Sequence, residues 1–158
     1  MVISTPPIIY LMDANALIDF GERYYADDVF GALWKLLRDA LDSGTVVITK
    51  GVMDEIKKYT PLPPWRQSVE RLCKGKLIDE SAYDVQIVFG RLARDIASKK
   101  VTSDLSEADQ LLLACGEALS YLIVSSDGGV RNTCARGHIK AHACRPLDFL
   151  RAVGWTFP

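Results

Sequence analysis

The chain has 158 residues and a mass of 17.5 kDa, which suits one compact domain, and we predict a single domain over residues 1–158. Hydrophobic residues make up 49% and charged residues 25% of it, a globular mixture that excludes a disordered, fibrous or coiled-coil chain. The net charge of −1 predicts no overall attraction to nucleic acid, although residues 128–158 hold five basic residues against one acidic residue. No apolar run approaches the roughly 20 residues that cross a bilayer. The start, MVISTPPIIYLMD, lacks the basic segment and cleavage site of a secretory signal, so we expect a cytoplasmic protein that does not enter membranes.

The first half of the chain alternates short apolar runs with helical patterns. Strands are predicted at residues 8–12 and 45–49, the second from its β-branched composition. Helices are predicted over residues 14–20, 29–41, 52–59 and 65–73. The stretch 21–28 is predicted as a loop, Gly44 ends the second helix, and Pro61 in the linker-like stretch 60–64 ends the third.

The second half continues the alternation. A long helix over 81–100 is predicted to be capped by Ser81, and one over 106–120 by Ser106. Strands are predicted at 121–125 and, more weakly, at 138–143, and Pro146 opens a last helix over residues 147–153. Short apolar strands separated by helices pair in parallel through right-handed crossovers, so the fold class is α/β, with three layers around a parallel sheet of four to five strands.

Four acidic residues fall where such a sheet binds its ligands, beyond the carboxyl ends of the strands. Asp13 directly follows the first strand, and Asp127 lies two residues after the third. Glu55 is predicted in the first turn of the helix after the second strand, and Asp109 in the first turn of the helix that leads into the third. Each acid also has a structural explanation: Asp13 as a helix cap, Asp109 in a capping box, Glu55 opposite a helix dipole, and Asp127 in a turn.

Taken together, the four acids indicate a cation site. Carboxylates gathered at one edge repel one another unless they retain protons or bind a cation. Oxygen ligands suit Mg²⁺ or Mn²⁺, which can activate water and stabilise charge on a phosphoryl group. The pattern therefore points to phosphodiester hydrolysis.

Four blocks of the sequence resemble the PIN-domain family, which includes VapC-like metal-dependent ribonucleases. They are LMDANALIDF (11–20), VMDEI (52–56), EADQLLLACGEALSYLIVSSD (107–127) and ACRPLDFLRAVG (143–154). The tyrosine-rich stretch from YYADD to the second tryptophan is similar to a less characterised PIN-like subfamily. The resemblance implies a three-layer α/β/α PIN-like domain acting as an Mg²⁺- or Mn²⁺-dependent endoribonuclease.

The resemblance also implies roles for individual residues. The catalytic and metal-binding acids would be Asp13, Glu55, Asp109 and Asp127, with Asp54 as an alternative to Glu55. Asn15 and Ser125 would support that site, and RNA would be held by Lys50, Arg131 and Arg136. The segment SSDGGVRN stands where the family usually has an aromatic loop after the third strand. Of the four acids, Asp127 therefore matches the family pattern least well.

The implied partners are an RNA substrate, an antitoxin protein that covers the acidic edge, and a second copy of the chain in a homodimer. Two other functions stay open. One is a catalytically weak or inactive PIN-like module that binds RNA or protein, and the other is a metal-dependent hydrolase of small phosphate esters.

Two further groups of residues are interpreted as structural. The spacing C-x3-H-x3-H-x-C over 134–144 does not match common zinc sites, and the four cysteines are expected to be reduced and mostly buried. The three tryptophans, with Tyr24 and Tyr25, fill the core or else form a partner groove or base-stacking platform. The tyrosine-rich loop and residues 60–64 are the predicted interaction surface.

Overall fold

The computed structural model describes residues 5–59 and 64–155. The centre of that part of the chain is a four-stranded, fully parallel sheet with the strand order β2-β1-β3-β4. The strands are β1 (Tyr10–Met12), β2 (Val46–Val47), β3 (Leu122–Val124) and β4 (Ala143–Cys144). Helices flank the sheet, which confirms the three-layer α/β/α class with four strands.

Eight α-helices are present in the described residues, and most begin or end where the sequence indicated. They are α1 (Ala14–Ile18), α2 (Gly31–Ser43), α3 (Lys50–Tyr59), α4 (Pro64–Cys73), α5 (Tyr83–Ala97), α6 (Glu107–Leu119), α7 (Gly128–Ala135) and α8 (Pro146–Val153). Gly44 ends α2 in the left-handed conformation, with φ of 80°. Pro146 opens α8, and none of the helices in the described residues is long and apolar enough to span a bilayer.

The strand order places the topological switch point of the sheet between β1 and β3. The crossover from β1 leads to β2 on one side, whereas β3 and β4 lie on the other side. Asp13 continues the pairing just past β1, since its backbone N–H donates to the carbonyl of Val124 at 2.9 Å. Ligands of open parallel sheets bind at this kind of position, so the fold places Asp13 and Ser125 at its expected binding edge.

The predicted loop over 21–28 is partly helical, which corrects the sequence interpretation. After α1 the chain continues as a π-helical turn over Asp19–Tyr24. The indole ring of buried Trp65 lies directly against Gly21, and a Cβ at that position would overlap the ring. Trp65 also donates from Nε1 to Glu22 at 2.8 Å. The turn depends on packing between Gly21 and Trp65, which are 44 positions apart in the chain, so the local sequence does not predict it.

Three predicted helix starts were wrong, and the first of these is that of α2, which begins at Gly31 rather than residue 29. Helix α3 begins at Lys50 rather than residue 52, because the Thr49 hydroxyl accepts from Val52 N–H and caps the helix. Glu55 therefore lies in the second turn of α3 and not in the first. Helix α5 begins at Tyr83, and Ser81 does not cap it but donates to Asp79 instead. Pro61, predicted to end the third helix, lies outside the described residues.

The segment after β3 also differs from the prediction. The glycine pair in SSDGGVRN suggested a loop, yet Gly128–Ala135 form α7, with Val130 and Thr133 buried. Gly129 approaches the carbonyl of Asp104 so closely that a side chain would collide with it. The fourth strand is shorter than predicted and lies at Ala143–Cys144, after His142 rather than over 138–143.

Candidate active site

Asp13 is a buried carboxylate at the centre of the candidate site, with 5% of its surface exposed. Its Oδ1 accepts from Ala14 N–H at 2.7 Å, which caps α1, and its Oδ2 accepts from the Ser125 hydroxyl at 2.7 Å. The pKa of Asp13 is raised to about 6, mainly by burial and less by the charges of Glu55 and Asp109, while the two hydrogen bonds oppose the rise. Asp13 is thus both a helix cap and an acid held close to other acids.

Glu55 reaches the same place from α3. Asp13 and Glu55 line one cavity of about 170 Å³, here called the acid cavity. Its full lining is Asp13, Thr49, Gly51, Val52, Glu55, Glu80, Glu107, Ala108 and Leu111. Partial burial and the charge of Asp109 raise the pKa of Glu55, whereas Lys58 lowers it. Glu55, rather than Asp54, is therefore the acid that α3 contributes to this cavity.

Asp109 joins the group from the first turn of α6. The Ser106 hydroxyl accepts from Asp109 N–H at 3.1 Å, and Asp109 Oδ2 accepts from Ser106 N–H at 3.0 Å, a complete capping box. Burial raises the pKa of Asp109, as does the charge of Asp127. The capping explanation holds, and the cap fixes the carboxylate where it interacts with both Asp13 and Glu55.

Asp127 lies at the margin of this group. Its Oδ1 accepts from Val130 N–H at 3.1 Å, so it caps α7 rather than sitting in a simple turn. Its backbone N–H donates to the Ser125 hydroxyl at 3.0 Å, which places it one step from Asp13. Asn15, half-buried, accepts from Ser126 N–H at 3.0 Å and ties α1 to the segment after β3.

Three further acids near the sheet edge were not predicted. Glu80 and Glu107 line the acid cavity, and Glu80 accepts from Gly51 N–H at 2.8 Å at the start of α3. Asp19 is buried, accepts from the Ser126 hydroxyl, and pairs with Arg23 at 2.8 Å. Asp19 could have been noticed in the sequence, because it is the charged residue within the otherwise mostly apolar run 14–20. No strand was predicted before Glu80, so the strand-end rule could not find it, although Ile78 forms an isolated parallel bridge with Thr49.

The donor set fits a hard divalent cation in its chemistry, because the converging side chains offer carboxylate oxygens. Across residues 5–59 and 64–155, no three histidine, cysteine, aspartate or glutamate side chains already stand as a ready set of metal ligands. Mg²⁺ commonly keeps several waters and takes only one or two carboxylates directly. The arrangement therefore suits an ion held partly through water.

The predicted RNA-contacting residues come from two parts of the fold, the start of α3 and α7 with its C-terminal end. Lys50 is exposed and stands 3.9 Å from Asp79, and Arg136 is exposed at the end of α7. Arg131 is half-buried and lines a different cavity from the acids. Of the aromatic residues, Trp34 and Trp65 are core side chains, with ring centroids 5.9 Å apart.

Comparisons with solved structures show a shared fold at low sequence identity. FitAcB from Neisseria gonorrhoeae is 13% identical, with a TM-score of 0.61 over 88% of this chain and 99% of that one. VapBC2 from Rickettsia felis, bound to a DNA fragment from their promoter, is 15% identical, with a TM-score of 0.58 over 87% of this chain and 98% of that one. FitAB bound to an IR36 DNA fragment is 14% identical, with a TM-score of 0.59 over 87% of this chain and 95% of that one.

No curated protein matches the chain. Residues 10–157, which include every acid of the candidate site, match a family described as a domain of unknown function, DUF4411. The chain belongs to the DUF4411 family, and its α/β/α fold is PIN-like.

Proposed function

We propose that the protein is an Mg²⁺- or Mn²⁺-dependent endoribonuclease. The observation that carries this proposal is the convergence of Asp13, Glu55 and Asp109 from three distant parts of the chain. Burial, together with the charges of neighbouring acids, holds the pKa of each carboxyl above its ordinary value. Such crowding costs free energy when all the acids are ionised, and a bound divalent cation would recover that cost.

The residues of the site have different proposed roles, which follow from their positions. Asp13, fixed by Ala14 N–H and the Ser125 hydroxyl, and Glu55 on the cavity wall are the proposed ligands. Asp109, oriented by its capping box, would hold the ion through water or accept a proton from the attacking water. A bound divalent ion would lower the pKa of water and stabilise charge on the phosphoryl oxygens. Asp127 is assigned to the margin of the site, next to Asp109.

The proposed physiological setting is a toxin–antitoxin pair. The support is the fold shared with FitAcB and VapBC2, and the acidic edge that an antitoxin would cover. Co-expression with the product of the adjacent gene, followed by size-exclusion chromatography, tests this setting. A stable complex that suppresses RNA cleavage is the expected result, whereas full cleavage in the presence of that product would contradict it.

The nuclease activity is tested by incubating single-stranded RNA with the purified protein in Mn²⁺ or in EDTA. We expect cleavage in Mn²⁺ only, and a loss on the order of 10²–10³-fold in Asp13→Asn, as when a group that stabilises transition-state charge is removed. Glu55→Gln should also lose activity. Asp54→Asn is the matched control, because Asp54 neighbours Glu55 in sequence but does not line the acid cavity, and it should cleave normally.

Three outcomes would contradict the proposal. Cleavage that survives Asp13→Asn would place the activity elsewhere. An intact wild-type protein that binds RNA but does not cut it in any divalent ion would favour the non-cutting module. Turnover of a chromogenic phosphodiester without RNA cleavage would favour a small-ester hydrolase.

A further inference from the structure

A second cavity opens at the same edge of the sheet, and its lining differs in chemistry from that of the acid cavity. It encloses about 310 Å³ and is here called the tyrosine–arginine cavity. Its lining is Asp19, Tyr24, Tyr25, Ser126, Arg131, Arg145, Pro146 and Leu147. We propose that it binds one unpaired nucleotide of the RNA strand, next to the phosphodiester held at the acid cavity. This inference rests on the proposed function for its position but makes a separate claim about binding.

The aromatic wall of the cavity suits a base. Tyr24 is 64% exposed, and its ring centroid lies 6.3 Å from that of Tyr25. Tyr25 is half-buried and packs on Phe20 and Phe30, with centroids 5.4 Å and 5.5 Å away. The pair thus places a fixed ring behind an exposed one. Exposed aromatic faces on a polar edge bind single-stranded bases by stacking, with little dependence on sequence.

The opposite wall suits a phosphate group. Arg131 projects from α7, and its Nε is buried without a hydrogen-bond partner among the described residues. A buried donor without a partner costs free energy, which an anionic ligand would recover through a charge-assisted hydrogen bond. Arg145 also lines the cavity, but its guanidinium is paired with Asp148 at 2.9 Å, so Arg131 is the main donor offered to an anion. Asp19, the acid in this lining, is already paired with Arg23 and Ser126 and therefore opposes an anion less.

The two cavities are joined by the segment 125–127. The Ser125 side chain bonds Asp13 of the acid cavity, whereas the next side chain, Ser126, bonds Asp19 of the tyrosine–arginine cavity. A strand of nucleic acid that follows this edge would therefore pass from one cavity to the other across two residues. This continuity, together with aromatic and guanidinium groups in one cavity, favours single-stranded RNA over a protein segment as the occupant.

The test measures binding without cleavage. Fluorescence anisotropy with a labelled short oligoadenylate, in EDTA, gives the Kd of the intact protein and its variants. Tyr24→Ala should weaken binding by about 5- to 150-fold, the loss in affinity that corresponds to removing the stacking of a single base on an aromatic ring. Tyr24→Phe should bind as wild type does. Arg131→Gln should weaken binding and reduce the slope of log Kd against log salt by about 1.

Controls separate the cavity from general charge and from the nuclease proposal. Arg94→Gln removes an exposed arginine on α5 and should leave Kd unchanged. Because Kd is measured in EDTA, it does not depend on cleavage at the acid cavity. Duplex RNA of the same length should bind more weakly, because its bases are already stacked.

Equal weakening by Arg94→Gln and Arg131→Gln would overturn the inference, as would wild-type affinity in Tyr24→Ala. Equal affinity for duplex and single strands would overturn it too. Because Tyr24 is exposed, its variants test the cavity even if a change at half-buried Arg131 prevents folding. A protein that binds as described but never cuts RNA would refute the nuclease proposal alone.

Discussion

The acid cavity and the tyrosine–arginine cavity lie at the same sheet edge, but the balance of acidic and basic residues differs between their linings. In the first, Asp13 and Glu55 in the lining and the neighbouring Asp109 have raised pKa values, and the lining holds no basic residue. In the second, the buried acid Asp19 is neutralised by Arg23, and two arginines line the space. The difference indicates that unbalanced negative charge, rather than acidity alone, marks the cation site. Three experiments test whether the two cavities are separate.

The largest expected effect is on the pH dependence of stability without metal. Unfolding returns the pKa of Asp13 from about 6 to its ordinary 3.8, so the folded chain binds the extra proton between those values. The stability that this proton contributes is complete below about pH 4 and is lost as the pH rises through 6, by at most about 3 kcal/mol. Asp13→Asn removes this loss, and asparagine caps helices as well as aspartate does.

Chemical denaturation in EDTA checks the prediction. Asp13→Asn should be more stable than wild type above pH 6, with the difference shrinking towards pH 4. Asp19→Asn serves as the comparison from the other cavity, since it breaks an ion pair and should gain no stability at high pH. A pH-independent difference between wild type and Asp13→Asn would show that Asp13 carries no excess proton.

The next effect is stabilisation by Mn²⁺. A ligand present at 100 times its Kd stabilises the folded state by about 2.7 kcal/mol, so the melting temperature should rise by several degrees in wild type. Asp13→Asn and Asp109→Asn should abolish this rise, because Asp13 lines the acid cavity and the charge of Asp109 acts on Asp13. Arg131→Gln should keep it. Loss of the rise in Arg131→Gln would mean that the two cavities act as one site.

The smallest effect separates two neighbouring serines. Ser125→Ala removes the hydroxyl that donates to Asp13, which should cost about 1 kcal/mol and raise the pKa of Asp13 further. Mn²⁺ should therefore bind Ser125→Ala more weakly near neutral pH. Ser126→Ala affects Asp19 instead and should leave the Mn²⁺ titration unchanged. Isothermal titration of both variants decides the matter, and equal Mn²⁺ affinities would contradict the division.

Much of the fold could be predicted because local signals agreed with packing. The apolar runs before Asp13 and Ser125 do form parallel strands, and Gly44, Ser106 and Pro146 mark helix ends as their backbone chemistry requires. The failures came where distant contacts decide. Trp65 shapes the π-helical turn, and the carbonyl of Asp104 sets the space at Gly129 at the start of α7.

The candidate site divides in the same way. Asp13 and Asp127 were found because strand ends of a parallel sheet meet at one edge, and Asp109 because its helix leads into a strand. Their catalytic roles stay predictions. Glu80 could not be found, since its place at the acid cavity depends on a bond to Gly51, 29 residues away. Arg131 was singled out for RNA, but only folding shows that its Nε is buried beside Tyr24.

The alternation of Ser125 and Ser126 also limits how the chain can change length. Connecting segments usually tolerate insertions and deletions. Here, deleting either serine would leave one hydroxyl to serve two acids, so Asp13 or Asp19 would lose its donor. Inserting a residue between the two serines would move the second hydroxyl to the other side of the chain, as a one-residue slip does in a strand. The segment after β3 should therefore accept substitutions far more readily than any change in its number of residues.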